Sequence, residues 1–143
     1  MRMIGRTLKI LALTSLICAS IVWSQAEAAG LDGSTPIVCA FTKAFWCDSE
    51  MDCEATTPEY LGLPRFIRVD ISNKKIVPAG IVKEGINTET PIKNFQRLDD
   101  QLVLQGLEIR GWNMIITEST GKLTLTASGD DEAFVLFGAC MVP

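Results

Sequence analysis

The stretch GWNMIITESTGKLTLTA, residues 111–127, carries the pattern that decides the fold. Trp112, Met114 and Ile116 occupy every second position, which is the period of a strand with one buried face. After a Ser-Thr-Gly turn, residues 122–127 again alternate apolar with polar side chains. The stretch therefore predicts a β-hairpin.

Comparable segments extend outward from this hairpin, with no long helical pattern and no internal repeat. We predict strands at residues 37–46, 66–71, 75–77, 92–97, 101–108, 111–117, 122–127 and 133–141. The last segment is apolar on both faces, so we expect it to be central or inside a closed barrel. The sequence predicts an all-β fold, a single antiparallel meander of seven or eight strands forming a small barrel or sandwich. Residues 48–64 are predicted to be irregular, and residues 81–91 extended or looping.

The first 28 residues have the three parts of a secretory signal peptide. A basic start with Arg2, Arg6 and Lys9 is followed by an apolar run at residues 10–23, and then by Ala-Glu-Ala. The run is shorter than the roughly 20 residues that span a bilayer, and we expect no transmembrane segment after its removal. We predict a signal peptide at 1–28, a single disulfide-bonded β domain at 29–143, and a periplasmic or secreted location.

The charge of residues 29–143 is acidic. The chain has 13 basic and 17 acidic residues, of which residues 1–28 hold three and one, so 10 and 16 remain and the net charge is −6. This balance argues against nucleic acid and anionic membrane as partners.

Four cysteines remain after residue 28, namely Cys39, Cys47, Cys53 and Cys140. An even number in an exported small domain predicts two disulfides, with three possible connectivities. The short spacing of Cys47 and Cys53 suits a local loop, in which case Cys39 and Cys140 would join the first strand to the last. A zinc site is disfavoured because the sequence has no histidine and no CxxC pair.

The absence of histidine also excludes Ser-His-Asp and Cys-His catalysis. Since the remaining cysteines are expected in disulfides, the chain leans away from being an enzyme, and carboxylate chemistry is the catalytic alternative. A pair of carboxylates can hydrolyse glycosides when a cleft holds them about 5 to 10 Å apart.

An acidic stretch follows the first strand, with carboxylates at alternate positions. Counted from its first acid, the oxygen ligands fall at positions 1, 3, 5 and 12 of a calcium loop, but Cys53 replaces the glycine needed at position 6. We therefore predict no metal and no cofactor. The candidate binding residues are Asp48, Glu50, Asp52, Glu54, Glu59 and Trp46.

Aromatic residues in the first strand are assigned to the core or to the outer face by whether their positions are odd or even. Phe41 and Phe45 share parity with Cys39 and Cys47, which predicts that they pack in the core, whereas Trp46 has the opposite parity and is predicted to be partly exposed. A tryptophan at position 112 is also expected in the core, with a partner for its indole N–H.

Three stretches resemble a family of small exported proteins of Gram-negative bacteria: LPRFIRVD at 63–70, LVLQG at 102–106 with GW at 111–112, and TGKLT at 120–124 with FGAC at 137–140. The resemblance implies export and a four-cysteine frame, and it supplies no catalytic residues. The chain also resembles the periplasmic inhibitors of C-type lysozyme, which are β-barrels of similar size with a disulfide. Their inhibitory loop has Ser-Gly followed by Tyr, whereas Ser128-Gly129 here is followed by Asp130-Asp131-Glu132.

Taken together, these features predict a noncatalytic exported β domain that binds a protein or a small ligand in the cell envelope, through its loops or a barrel mouth. The alternatives are a carboxylate-based cell-wall hydrolase, a structural envelope component, and a protein similar to lysozyme inhibitors.

Overall fold

A computed structural model describes residues 30–50, 52–80 and 89–143. The described residues form ten β-strands and no helix. The predicted signal peptide at 1–28 and most of the ambiguous stretch at 81–91 lie outside the described residues. Within the part of the chain that the structure describes, no helix is long and apolar enough to cross a membrane.

The strands follow one another through short turns. They are β1 (Ile37–Asp48), β2 (Glu54–Thr56), β3 (Phe66–Asp70), β4 (Lys75–Pro78), β5 (Thr90–Pro91), β6 (Asn94–Leu98), β7 (Gln101–Leu107), β8 (Gly111–Thr117), β9 (Lys122–Gly129) and β10 (Glu132–Met141). Eight have four or more residues and match the predicted segments closely. The short β2 and β5 were not predicted, because two or three residues carry too little periodicity to identify a strand.

All pairings are antiparallel and form one curled half-barrel sheet in the order β5-β4-β3-β1-β10-β9-β8-β7-β6, with β2 added beside β1. The two end strands of this order are neighbours in the chain. Between them, the backbone N–H of Ile92 donates to the carbonyl of Lys74, and that of Lys93 donates to the carbonyl of Gln105, both at 2.8 Å. One short segment thus joins both ends of the sheet. The predicted all-β antiparallel fold is confirmed, and β10 lies inside the sheet as its apolar faces predicted.

Both predicted disulfides form. Cys39 and Cys140 are direct partners in the β1–β10 ladder and are bonded across 101 residues of sequence. Cys47 and Cys53 are bonded across six residues and close the acidic loop after β1. The first bond therefore joins the strands at the two ends of the described domain, and the second is local.

The inner face of the sheet is filled with aliphatic side chains in transverse rows. One row contains Leu102, Ile116 and Leu123, which are cross-strand partners on β7, β8 and β9 and are at most 2% exposed. The next row contains Leu104 and Met114, both fully buried. These rows fill one end of the half-barrel with core.

The prediction that Phe45 packs in the core is wrong, because β1 contains a β-bulge. The register shifts between Phe41 and Lys43, and this extra residue reverses the parity of the rest of the strand. Phe41 is buried as predicted, but Phe45 lies on the outer face, edge-on to Phe137 with ring centroids 6.3 Å apart. Trp46 consequently packs against the core cluster.

Candidate functional site

An apolar cavity of about 220 Å³ opens on the inner side of the sheet, next to the filled rows, and Met114 of the second row is one of its lining residues. The sheet supplies most of its wall, and the segment between β2 and β3 supplies Leu61 and Leu63. The hairpin between β7 and β8 supplies Glu108, Ile109 and Arg110. Most of the lining side chains are apolar, so the cavity favours an apolar ligand group.

One transverse row of side chains contributes Trp112, Ala127 and Phe134 to the cavity wall. Gly106, Trp112, Ala127, Phe134 and Trp46 are successive cross-strand partners on β7, β8, β9, β10 and β1. The first four residues of the row alternate small and large side chains, and Ala127 leaves space between the rings of Trp112 and Phe134. Its position follows from the strand period that the sequence shows, because Trp112 shares a face with buried Met114.

The expected hydrogen bond of Trp112 does not form. Its Nε1 is buried and has no hydrogen-bond partner among the described residues. The prediction of a partner for this N–H was therefore wrong. The reason is its neighbour: the indole edge packs against Gly106, a surface that offers it no side-chain acceptor.

The next row toward solvent is charged. Asp48 and Gly129 are the cross-strand partners of Glu132 on either side. Arg110 forms an ion pair with Glu132, and its guanidinium lies 4.7 Å from the centre of the Phe134 ring, in cation–π geometry. Arg110, which lines the cavity, is thus held by Glu132 and packed against Phe134 of the cavity wall.

Trp46, one of the predicted binding residues, belongs to this arrangement. Its Nε1 donates a hydrogen bond of 3.1 Å to Oε2 of Glu132, while Arg110 engages the other carboxylate oxygen. Glu132 therefore contacts both Trp46 and Arg110, the residue that packs against Phe134.

The other predicted residues fall into two groups. Asp48 ends β1, and Glu50 and Asp52 lie on the disulfide-closed loop, which is tied to the β9–β10 turn by a 2.7 Å hydrogen bond from Ser49 Oγ to Asp131. Glu54 begins β2, on the side of β1 opposite β10. Glu59 is held elsewhere. Arg65 donates two hydrogen bonds to it, at 2.8 and 2.9 Å, and these bonds lower the pKa of the Glu59 carboxyl.

The acids at every second position after the first strand do not form a cluster of metal ligands among the described residues. Among residues 30–50, 52–80 and 89–143, no group of three or more acidic or cysteine side chains is placed to hold a metal ion. On an extended chain, carboxylates at every second position share a face but are spaced roughly 7 Å apart, whereas calcium ligands must converge on one ion.

The sequence did not single out Glu108, Arg110, Glu132 or Phe134 as site residues. Each is ordinary in sequence, and only strand register brings Arg110 over β9 to Glu132 on β10. The one available signal was the arginine directly before the strand that carries Trp112.

Comparison with known protein families, curated proteins and solved structures finds no match to this chain.

Proposed function

We propose that this protein is an exported, noncatalytic binding domain of the cell envelope, periplasmic or secreted, that takes an apolar group of its ligand into the cavity at the open end of the half-barrel. The apolar cavity is the observation that carries this proposal. The leader-like residues 1–28 and the two disulfides support export, because such bonds persist in oxidising compartments.

The size of the cavity supports a small ligand group. An apolar cavity of roughly 150 Å³ is known to hold benzene, so about 220 Å³ has space for a ring or a short alkyl chain. Burial of each methylene contributes about 0.8 kcal/mol, and binding of an alkyl chain in the micromolar to millimolar range is expected.

The wall is also preorganised. Strand pairing holds the five-residue row in place, and the Cys47–Cys53 bond holds the loop beside it. A cavity that is formed before its ligand arrives avoids the cost of ordering side chains on binding.

A matched pair of cavity variants tests the proposal. Ala127→Leu places a larger side chain on the inner row between Trp112 and Phe134, whereas Ala139→Leu makes the same change on the exposed outer face of β10. Titration calorimetry with 1-octanol should show binding to the parent protein and to A139L, and a loss of at least tenfold in A127L. Circular dichroism would verify that both variants are folded. An absence of octanol binding by the parent protein, or equal binding by both variants, would overturn the proposal.

A further inference from the structure

We infer that the ligand is a small cationic amphiphile, whose alkyl or aryl part fills the cavity and whose ammonium group lies against the carboxylates at the opening. This inference rests on the proposed function, since it takes the cavity as the binding site. It adds the charge of the ligand group that remains outside the cavity.

Three segments lie at the same end of the sheet as the cavity-lining Glu108, namely residues 46–50 with 52–56, residues 107–112 and residues 127–134. The carboxylates of these segments are here called the acidic mouth. The three segments together contain eight carboxylates and one basic residue, Arg110, so their formal charge is −7. The eight are Asp48, Glu50, Asp52, Glu54, Glu108, Asp130, Asp131 and Glu132. Since residues 29–143 have a net charge of −6, the rest of the domain sums to +1. The negative charge of the domain is therefore concentrated at one end.

The fold brings these segments together. Asp48 is the direct cross-strand partner of Glu132, and Ser49 is hydrogen-bonded to Asp131. On the other side, Arg110 reaches across Gly129 to Glu132. Carboxylates within about one Debye length of the opening add their fields at moderate ionic strength.

The single cation of the mouth is already engaged. Arg110 pairs with Glu132 and covers the Phe134 ring, so an anionic ligand would have to compete with Glu132 for it. Glu108, in contrast, lines the cavity, and among the described residues no ion pair or hydrogen bond engages its side chain. An anionic head group entering beside Glu108 would be repelled, whereas an ammonium group would be attracted.

The rim also suits an amphiphile. Ile109, on the β7–β8 hairpin between Glu108 and Arg110, is 92% exposed and lines the cavity. An alkyl chain that leaves the cavity at this point would bury apolar surface of Ile109 before its charged end meets the carboxylates.

Three probes with the same alkyl chain separate the contributions: octyltrimethylammonium, 1-octanol and octanoate, each titrated calorimetrically into the oxidised protein. We expect octyltrimethylammonium to bind about tenfold more tightly than octanol, and octanoate more weakly than octanol. High salt should reduce the preference for the cation and leave octanol binding unchanged.

A charge variant locates the effect. Glu108→Gln should weaken octyltrimethylammonium binding severalfold without changing octanol binding. Asp99→Asn removes a carboxylate from the β6–β7 turn, at the opposite end of β7, and should change neither. If octanol and octanoate bind as tightly as the cation, or if E108Q and D99N behave alike, the cationic ligand is refuted while the apolar cavity stands. If no probe binds, the proposed function itself fails.

Discussion

The indole ring of Trp112 occupies the space that a side chain at Gly106 would need. The two residues are direct cross-strand partners on β8 and β7, and a Cβ built on Gly106 would overlap the indole ring at Cζ2, Cε2 and Nε1. The absence of a side chain at position 106 therefore allows Trp112 to form part of the cavity wall.

We predict that Gly106→Ala displaces Trp112, lowers the free energy of unfolding by about 1 to 3 kcal/mol through overpacking, and weakens octanol binding. Gly111→Ala is the matched control on the same hairpin, because a Cβ there meets no atom within 4 Å. Urea unfolding and calorimetry measure both effects. Equal stability and equal octanol affinity in the two variants would show that this contact does not shape the cavity.

The two disulfides are predicted to contribute unequally to stability. Removal of the Cys39–Cys140 bond by a double alanine substitution frees a loop of 101 residues and should cost about 5 kcal/mol, whereas removal of the Cys47–Cys53 bond should cost about 2 kcal/mol. Denaturant unfolding of the two double variants gives the comparison. A larger loss from the local bond would contradict the chain-entropy explanation.

The ion pair at the opening is predicted to be stronger than an exposed pair. Side chains of Arg110 and Glu132 are 33% and 26% exposed, against 39% and 56% for Lys75 and Glu89. A double-mutant cycle with alanine at 110 and 132 should give a coupling energy of about 1 kcal/mol, and the cycle at 75 and 89 less than about 0.5 kcal/mol. Equal couplings would mean that the packing of Arg110 on Phe134 adds nothing to the pair.

Stability should fall as the solution is acidified. The hydrogen bonds from Arg65 hold the pKa of Glu59 below its ordinary value of 4.5, and the pKa of Asp70 is likewise lowered, by hydrogen bonds from Asn73. A lowered pKa in the folded state stabilises the protein above the unfolded value, and this contribution is lost as the pH falls through the folded value. We expect Glu59→Gln to be less stable at neutral pH and to lose less stability below pH 4.5.

Chemical unfolding of E59Q at several pH values between neutrality and strong acid measures this difference. Asp130→Asn is the control, because its exposed carboxylate makes no side-chain hydrogen bond among the described residues. The explanation would be abandoned if E59Q and D130N showed the same pH dependence.

Much of the fold could be predicted because the alternation of apolar and polar side chains along a strand is visible in consecutive residues of the sequence. Alternation around Met114 and Leu125 identified β8 and β9, and their register then placed these two side chains as partners. The pairing of Cys39 with Cys140 was one of three possibilities, and spacing favoured it because Cys47 and Cys53 are too close to suit anything but a local loop. Phe45 was misplaced because a bulge has no reliable local signature, and one inserted residue reverses every later side chain.

The candidate site was predicted only in part, for the same reason. Asp48 and Trp46 were identified from a local run of acidic and aromatic residues, and both are neighbours of Glu132. Glu108, Arg110 and Phe134 lie on other strands and have no distinguishing neighbours in sequence.

The sequence by itself determined eight of the ten described strands, the expectation of two disulfides and the acidic balance, because period, cysteine count and charge can be read without the packing of distant segments. Only the tertiary structure decided that Arg110 meets Glu132, that Trp112 covers Gly106, and that Glu108 and Arg110 line an apolar cavity. Those relationships depend on register between strands and on the curvature of the whole sheet. Both emerge only when distant segments pack together.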